Sequence, residues 1–166
     1  MTPNYILVGL PGAGKSTVGK ILSQKLHYDF IDTDLLIEQK AQMKIVEIFA
    51  TFGEEYFRGL ESEVIESLET ISTTILSIGG GAFQREENRT SLKKIGKTIY
   101  LKTTPDVIYS RLKEDISRPL LQCDFPLKKI MDLYAQRKDN FEQADIIIST
   151  DSMNIEELVE EILRIL

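Results

Sequence analysis

The chain has 166 residues, 42% of them apolar and 28% charged, which fits one domain spanning residues 1–166 and excludes a disordered chain. Its net charge of −6 argues against nucleic acid as the main partner, because phosphate backbones select basic surfaces. The single Cys123 cannot form an internal disulfide, and Met1 to Leu10 resembles neither a signal peptide nor a membrane span, so a cytoplasmic protein with no membrane attachment is expected.

Apolar, β-prone runs alternate with helical patterns, which points to an α/β fold: a three-layer sandwich around a five-stranded parallel sheet. Tyr5-Ile6-Leu7-Val8 is apolar throughout, as suits a strand buried on both faces. A helix is expected from about Lys15 to Leu26, then a strand from Tyr28 to Ile31 that ends at Asp32. The stretch from Asp34 to about Thr70 reads as largely helical, broken near Phe52-Gly53. Further strands are expected at Thr74 to Ile78, Thr98 to Leu101 and Ile146 to Ser149, with helices between them. Ile155 to Leu166 carries apolar residues at helical spacing and closes the chain.

The segment Gly9-Leu10-Pro11-Gly12-Ala13-Gly14-Lys15-Ser16-Thr17 fits the pattern G-x-x-x-x-G-K-[ST]. Its glycines let the backbone curl so that successive N–H groups form an anion nest at a helix N-terminus. Gly12, Ala13, Gly14, Lys15, Ser16 and Thr17 are therefore candidate triphosphate-binding residues, with Lys15 near the β- and γ-phosphates and the Ser16 hydroxyl suited to Mg²⁺. The strand ending at Ile78 carries no acid beside this site, whereas the preceding one ends in Asp32. Asp32 is thus assigned to the Mg²⁺ shell, through water; the competing reading is a helix cap, a task Asp34 could equally perform. Glu114 to Pro126 breaks the α/β rhythm with two prolines and little periodicity. In a phosphotransferase such a segment, about residues 114–126, reads as a mobile lid, and it contains Arg118.

A kinase also needs an acceptor pocket beside the γ-phosphate. Asp34 lies two residues beyond Asp32, and Gly79, Gly80 and Gly81 follow another strand, where they let backbone approach a ligand closely. Arg58 sits on an expected helix beside aromatic neighbours. The ordered series is what carries information: the glycine-rich loop; Phe30-Ile31-Asp32-Thr33-Asp34; Ile45-Val46-Glu47-Ile48-Phe49; Gly53-Glu54, then Phe57-Arg58 and Glu61; Ile75-Leu76-Ser77-Ile78-Gly79-Gly80-Gly81-Ala82-Phe83; Arg118-Pro119-Leu120-Leu121; and Arg137 shortly before Phe141. From Gly9 to about Ser149 this series resembles the shikimate kinase family, in the nucleoside-monophosphate-kinase-like branch of P-loop proteins.

The resemblance implies a P-loop kinase fold with a mobile lid and a substrate-binding helical region at about residues 34–70. It implies ATP-dependent phosphorylation of the 3-hydroxyl of shikimate, in aromatic amino acid biosynthesis, with ATP as co-substrate and Mg²⁺ as cofactor. Lys15 would hold the transferring phosphate and Ser16 the metal, with Asp32 in its outer shell. Asp34 would hydrogen-bond the acceptor's hydroxyls and take the proton. Arg58 and Arg137 would clamp the carboxylate, Gly79, Gly80 and Gly81 would line the acceptor site, and Phe49 and Phe57 would wall it. Arg118 would arrive with the lid, and Arg111 would lie against adenine. Phe141 stands where the family often has Tyr, and Asp151-Ser152-Met153-Asn154 replaces a proline-bearing adenine loop, so no adenine contact is carried over to residues 151–154.

Shikimate is a small anionic triol, so cationic clamps, a carboxylate and an apolar wall also suit it chemically. Rival readings are a gluconate or nucleotide kinase, an inactive relative that only binds ligands, and a GTP-dependent switch; the last usually shows D-x-x-G and N-K-x-D strings, and neither occurs here. His27, the only histidine, is expected at the surface of a helix end. Cys123 has no base close in sequence and reads as a bystander, and Glu156-Glu157 with Glu160-Glu161 reads as a solvated helix face. A monomer is expected for this size.

Overall fold

The computed structural model describes residues 3–113, 124 and 126–166. The five strands are β1 (Asn4–Val8), β2 (Asp29–Asp32), β3 (Thr74–Ser77), β4 (Gly96–Lys102) and β5 (Ile146–Ser149). All pair in parallel, in the order β2-β3-β1-β4-β5. The helices are α1 (Lys15–Leu26), α2 (Thr33–Ala41), α3 (Ile45–Ser67), α4 (Glu86–Ile95), α5 (Pro105–Leu112), α6 (Pro126–Phe141) and α7 (Ile155–Ile165), with a 3₁₀ turn at Ala82–Gln84. Among the described residues no helix is long and apolar enough to cross a membrane.

Alternation along the strands builds the three layers, since successive side chains point to opposite faces. Tyr5 and Leu7 of β1, with Ile99 and Leu101 of β4, pack under Val18 and Leu22 of α1 and Leu158, Val159 and Ile162 of α7. Ile6, Val8 and Tyr100 face the other way, onto Leu60 and Ile65 of α3, Leu92 of α4, Ile108 of α5 and Ile130 of α6. The sheet is therefore apolar on both faces, as a parallel sheet under two helical layers must be.

The stretch from Asp34 to about Thr70, expected as largely helical, breaks twice. One break is the expected one, at Gly53 (φ 82°, ψ 176°). The other lies at residues 42–44, where Gln42 caps α2 in the left-handed region at φ 53°. No glycine or proline marks that turn; Glu38 fastens it by accepting from Ile45 N at 3.1 Å and from Lys44 Nζ at 2.9 Å. β4 is longer than expected and begins at Gly96, which pairs with Asn4 so closely that a Cβ there would lie 2.3 Å from the Asn4 carbonyl oxygen. The expected lid at about residues 114–126, with Arg118 and Cys123, lies outside the described residues apart from Asp124 and Pro126, the latter opening α6.

The parallel order places the carboxyl ends of β1, β2 and β3 side by side. Leu7 is in register with Ser77, and Ser77 with Asp32. The chain leaves β1 for one side of the sheet and β3 for the other, and such a switch point is where open α/β sheets bind ligands.

Candidate active site

The loop between β1 and α1 supplies the phosphate nest. Gly12 and Gly14 take φ of 85° and 92°, a region L side chains enter at a cost, and Gly14 is the N-cap of α1 without any side-chain partner. The orphan N–H groups of the helix start are thus left to a ligand. Lys15 Nζ folds back over the loop and donates to Gly9 O at 2.9 Å and Leu10 O at 3.0 Å. A cleft of about 840 Å³ opens beside it, bordered by residues 11–18, by Asp32, Asp34 and residues 77–80, and by Arg111 and Met153 to Glu156.

Asp32 caps α2, the competing reading, and also bonds the phosphate loop. Its Oδ1 accepts from Asp34 N at 3.0 Å and caps α2, while its Oδ2 accepts from Ser16 Oγ at 2.6 Å. Capping leaves one oxygen free to face the loop, so the two roles do not exclude each other. Ser16 and Asp32 form an oxygen pair at the mouth of the phosphate nest, the hard donor set that suits Mg²⁺ when phosphate oxygens complete the shell.

Asp34, Glu61, Arg58 and Arg137 converge on the glycine turn after β3. A Cβ added at Gly79 would lie 2.9 Å from both Asp34 Oδ1 and Glu61 Oε1; at Gly80, 3.4 Å from Arg137 Nη1; at Gly81, 2.1 Å from Arg58 Nη1. None of the three has positive φ. These glycines are therefore needed for space, and they let four charged groups stand against one strand of backbone. Beyond the turn a smaller cleft, about 450 Å³, is lined by Glu54, Glu55, Arg58, Gly81, Gln84, Arg85 and Arg137.

The charges in this region are held in place. Arg58 donates to Glu61 at 2.6 Å and to Glu54 at 3.1 Å, and Glu61 is only 3% exposed. Burial raises the Glu61 carboxyl above its usual range despite the nearby Arg58. Burial also raises Asp34, with repulsion from Asp32 adding to it and Lys15 opposing it. Arg137 is lowered, first by burial and then by repulsion from Arg58. Two arginines pushed together under partial burial favour an anion between them.

Phe57 is buried beneath Arg58, whose guanidinium carbon lies 5.4 Å above the ring centre. Phe49 packs on it at 4.6 Å between centroids and stays 37% exposed; neither ring lines either of the two clefts. Phe141 is buried between Phe83 and Tyr100, with centroids 6.1 and 5.0 Å away. His27 is an exposed C-cap of α1, and Glu160 of the acidic face pairs with Lys25 in solvent.

The structure thus brings Lys15, Ser16, Thr17, Asp32, Asp34 and Arg111 to one cleft, and Arg58, Arg137 and Gly81 to the adjoining one. Arg118 lies outside the described residues. Sequence reasoning named Glu61 in the ordered series but gave it no role, although its i,i+3 spacing from Arg58 on a helix was a usable signal. It gave Ser77 no role either, and it carried no ligand contact to Met153 and Asn154, which border the same cleft as Arg111.

Comparison with known proteins agrees with this fold. A family model described as Shikimate kinase matches residues 11–166. A shikimate kinase of Thermodesulfovibrio yellowstonii is 40% identical, covering 97% of this chain and 93% of its own. One from a Sulfurihydrogenibium species is 43% identical over 96% and 95%. The solved structure of the Acinetobacter baumannii shikimate kinase in complex with shikimate superposes with a TM-score of 0.92 at 37% identity, covering 99% of this chain and 93% of that one. With sequence and fold matched over nearly the whole length, this chain belongs to the shikimate kinase family.

Proposed function

We propose that this chain transfers the γ-phosphoryl group of ATP to the 3-hydroxyl of shikimate, giving shikimate 3-phosphate and ADP on the route to aromatic amino acids. The observation that carries the reading is the convergence of Asp34, Arg58 and Arg137 on the glycine turn beside the phosphate nest. A small anionic polyol held there by its carboxylate reaches back toward Asp34 and the P-loop.

Residues 12–17 would bind the triphosphate through backbone N–H groups, with Lys15 swinging from the loop carbonyls to the transferring phosphate. Ser16 would hold Mg²⁺ directly and Asp32 through water, and the ion would supply charge neutralisation to the phosphates. Arg111, with Met153 and Asn154 beside it, would border the adenine. Arg58 and Arg137 would grip the carboxylate with paired N–H donors, each charge-assisted bond contributing about 1.5–3 kcal/mol. Glu61 holds Arg58 in position for that grip, and Phe49 covers the ring.

Asp34 would accept a hydrogen bond from the attacking hydroxyl, and its raised carboxyl is a better proton acceptor than an exposed one. Because the phosphoryl transition state is loose, orientation by Asp34 outweighs proton removal. Arg118, on the expected lid, would add charge over the phosphates and help exclude water. The chain would act as a monomer in the cytoplasm.

ATP turnover in the presence of shikimate, gluconate or nucleoside monophosphates tests the reading. Turnover is expected with shikimate; activity confined to another acceptor, or a clear preference for GTP, would reject it.

A further inference from the structure

Ser77 ends β3 in register with Leu7 of β1 and Asp32 of β2, is 3% exposed and borders the nucleotide cleft. Its Oγ lies 3.3 Å from Ser16 Oγ. Proton inventory decides the direction of that contact, because a hydroxyl has one proton and two acceptor lone pairs. Ser16 commits its proton to the Asp32 carboxylate at 2.6 Å, a charge-assisted bond that outcompetes any neutral acceptor. Ser77 is therefore the donor and Ser16 the acceptor. The result is a one-way relay, Ser77 to Ser16 to Asp32, that leaves one lone pair on Ser16 Oγ uncommitted.

The backbone of Ser77 is tied down as well. Its carbonyl accepts from Thr33 Oγ1, and that oxygen accepts from Gly79 N, each at 3.4 Å. Thr33, itself buried, thereby joins the turn after β2 to the turn after β3. The hydroxyl thus sits on a fixed backbone where a carboxylate stands in many P-loop proteins.

We infer that Ser77 is a positioning residue of the metal site: its hydroxyl fixes the Ser16 rotamer and aims the remaining lone pair of Ser16 at the Mg²⁺ ion. The inference rests on the reading of Ser16 and Asp32 as the metal-holding pair. Groups that orient a metal ligand typically change affinity about 10- to 100-fold when removed.

Mn²⁺ binding to the ADP complex, followed by water-proton relaxation, tests it without any acceptor present. Ser77→Ala and the near-isosteric Ser77→Cys, a weak donor, are expected to weaken Mn²⁺ binding about tenfold, while Ser77→Thr, which keeps the hydroxyl, restores most of it. ADP binding in EDTA should be equal in all of them. Unchanged Mn²⁺ affinity in Ser77→Cys overturns the inference, and that variant carries the comparison if Ser77→Ala does not fold. An equal loss of metal-free ADP binding also overturns it, since the cleft itself would then have changed. An unsubstituted ADP complex that takes up no Mn²⁺ overturns it together with the metal reading, and shikimate turnover then decides the function independently.

Discussion

Gly81→Ala adds a single methyl group, and the structure says what it must displace. The new Cβ would lie 2.1 Å from Arg58 Nη1 and 2.5 Å from both Cζ and Nη2, so the guanidinium has to leave. The arginine stem is flexible, but moving it breaks the 2.6 Å bond to Glu61 and strands a carboxylate that is 3% exposed. Removing one partner of a buried pair costs about 3–5 kcal/mol, an upper bound here because Glu61 can take up a proton instead. In binding, losing one charge-assisted grip of about 1.5–3 kcal/mol corresponds to roughly 10- to 150-fold in KM for shikimate. The nucleotide cleft does not include Gly81, so KM for MgATP should hardly change. Steady-state kinetics with each substrate varied in turn, and urea unfolding for stability, measure both effects. An unchanged shikimate KM would refute the argument that Gly81 exists to make room for Arg58.

Lys15→Ala should abolish turnover while circular dichroism stays that of the unsubstituted chain. Arg137→Ala should raise the shikimate KM strongly with little effect on MgATP; an unchanged value would remove it from the clamp. Arg111→Ala should do the reverse, raising KM for MgATP alone. Asp34→Asn should abolish most activity yet stabilise the fold at neutral pH. The Asp34 carboxyl is raised above its ordinary value of 3.8, so the folded state binds this proton more tightly than the unfolded chain, and stability contributed by the site falls as pH rises above about 4. The urea midpoint of Asp34→Asn should therefore exceed that of the unsubstituted chain at pH 7, and the gain should shrink toward pH 4.

The parts of the site that were legible in the sequence are those written in local patterns. The phosphate loop needs glycines at fixed spacing between a buried strand and a helix, and β1 and α1 appear where that pattern puts them. The break at Gly53 was visible because glycine advertises its conformation, whereas the turn at residues 42–44 was not, because Gln42 enters the left-handed region without such a mark. Asp32 could be read as cap or metal group from sequence, but only the orientation of its two oxygens shows that one caps α2 while the other meets Ser16. The glycine triplet announced close approach without saying of what. That Gly79 faces Asp34 of α2 and Glu61 of α3, and Gly81 faces Arg58 of α3, depends on how both helices meet the turn after β3. Ser77 was silent for the same reason: a strand serine gains meaning only from the hydroxyl across the strand end.

The most direct measurement of the central claim is a phosphorus–proton correlation NMR spectrum of the chain incubated with ATP, Mg²⁺ and shikimate. The account predicts one new phosphomonoester signal, formed in step with ADP and coupled to the proton on C3 of the ring. ATP consumed to free phosphate without that signal, or coupling to a proton on another ring carbon, would contradict it.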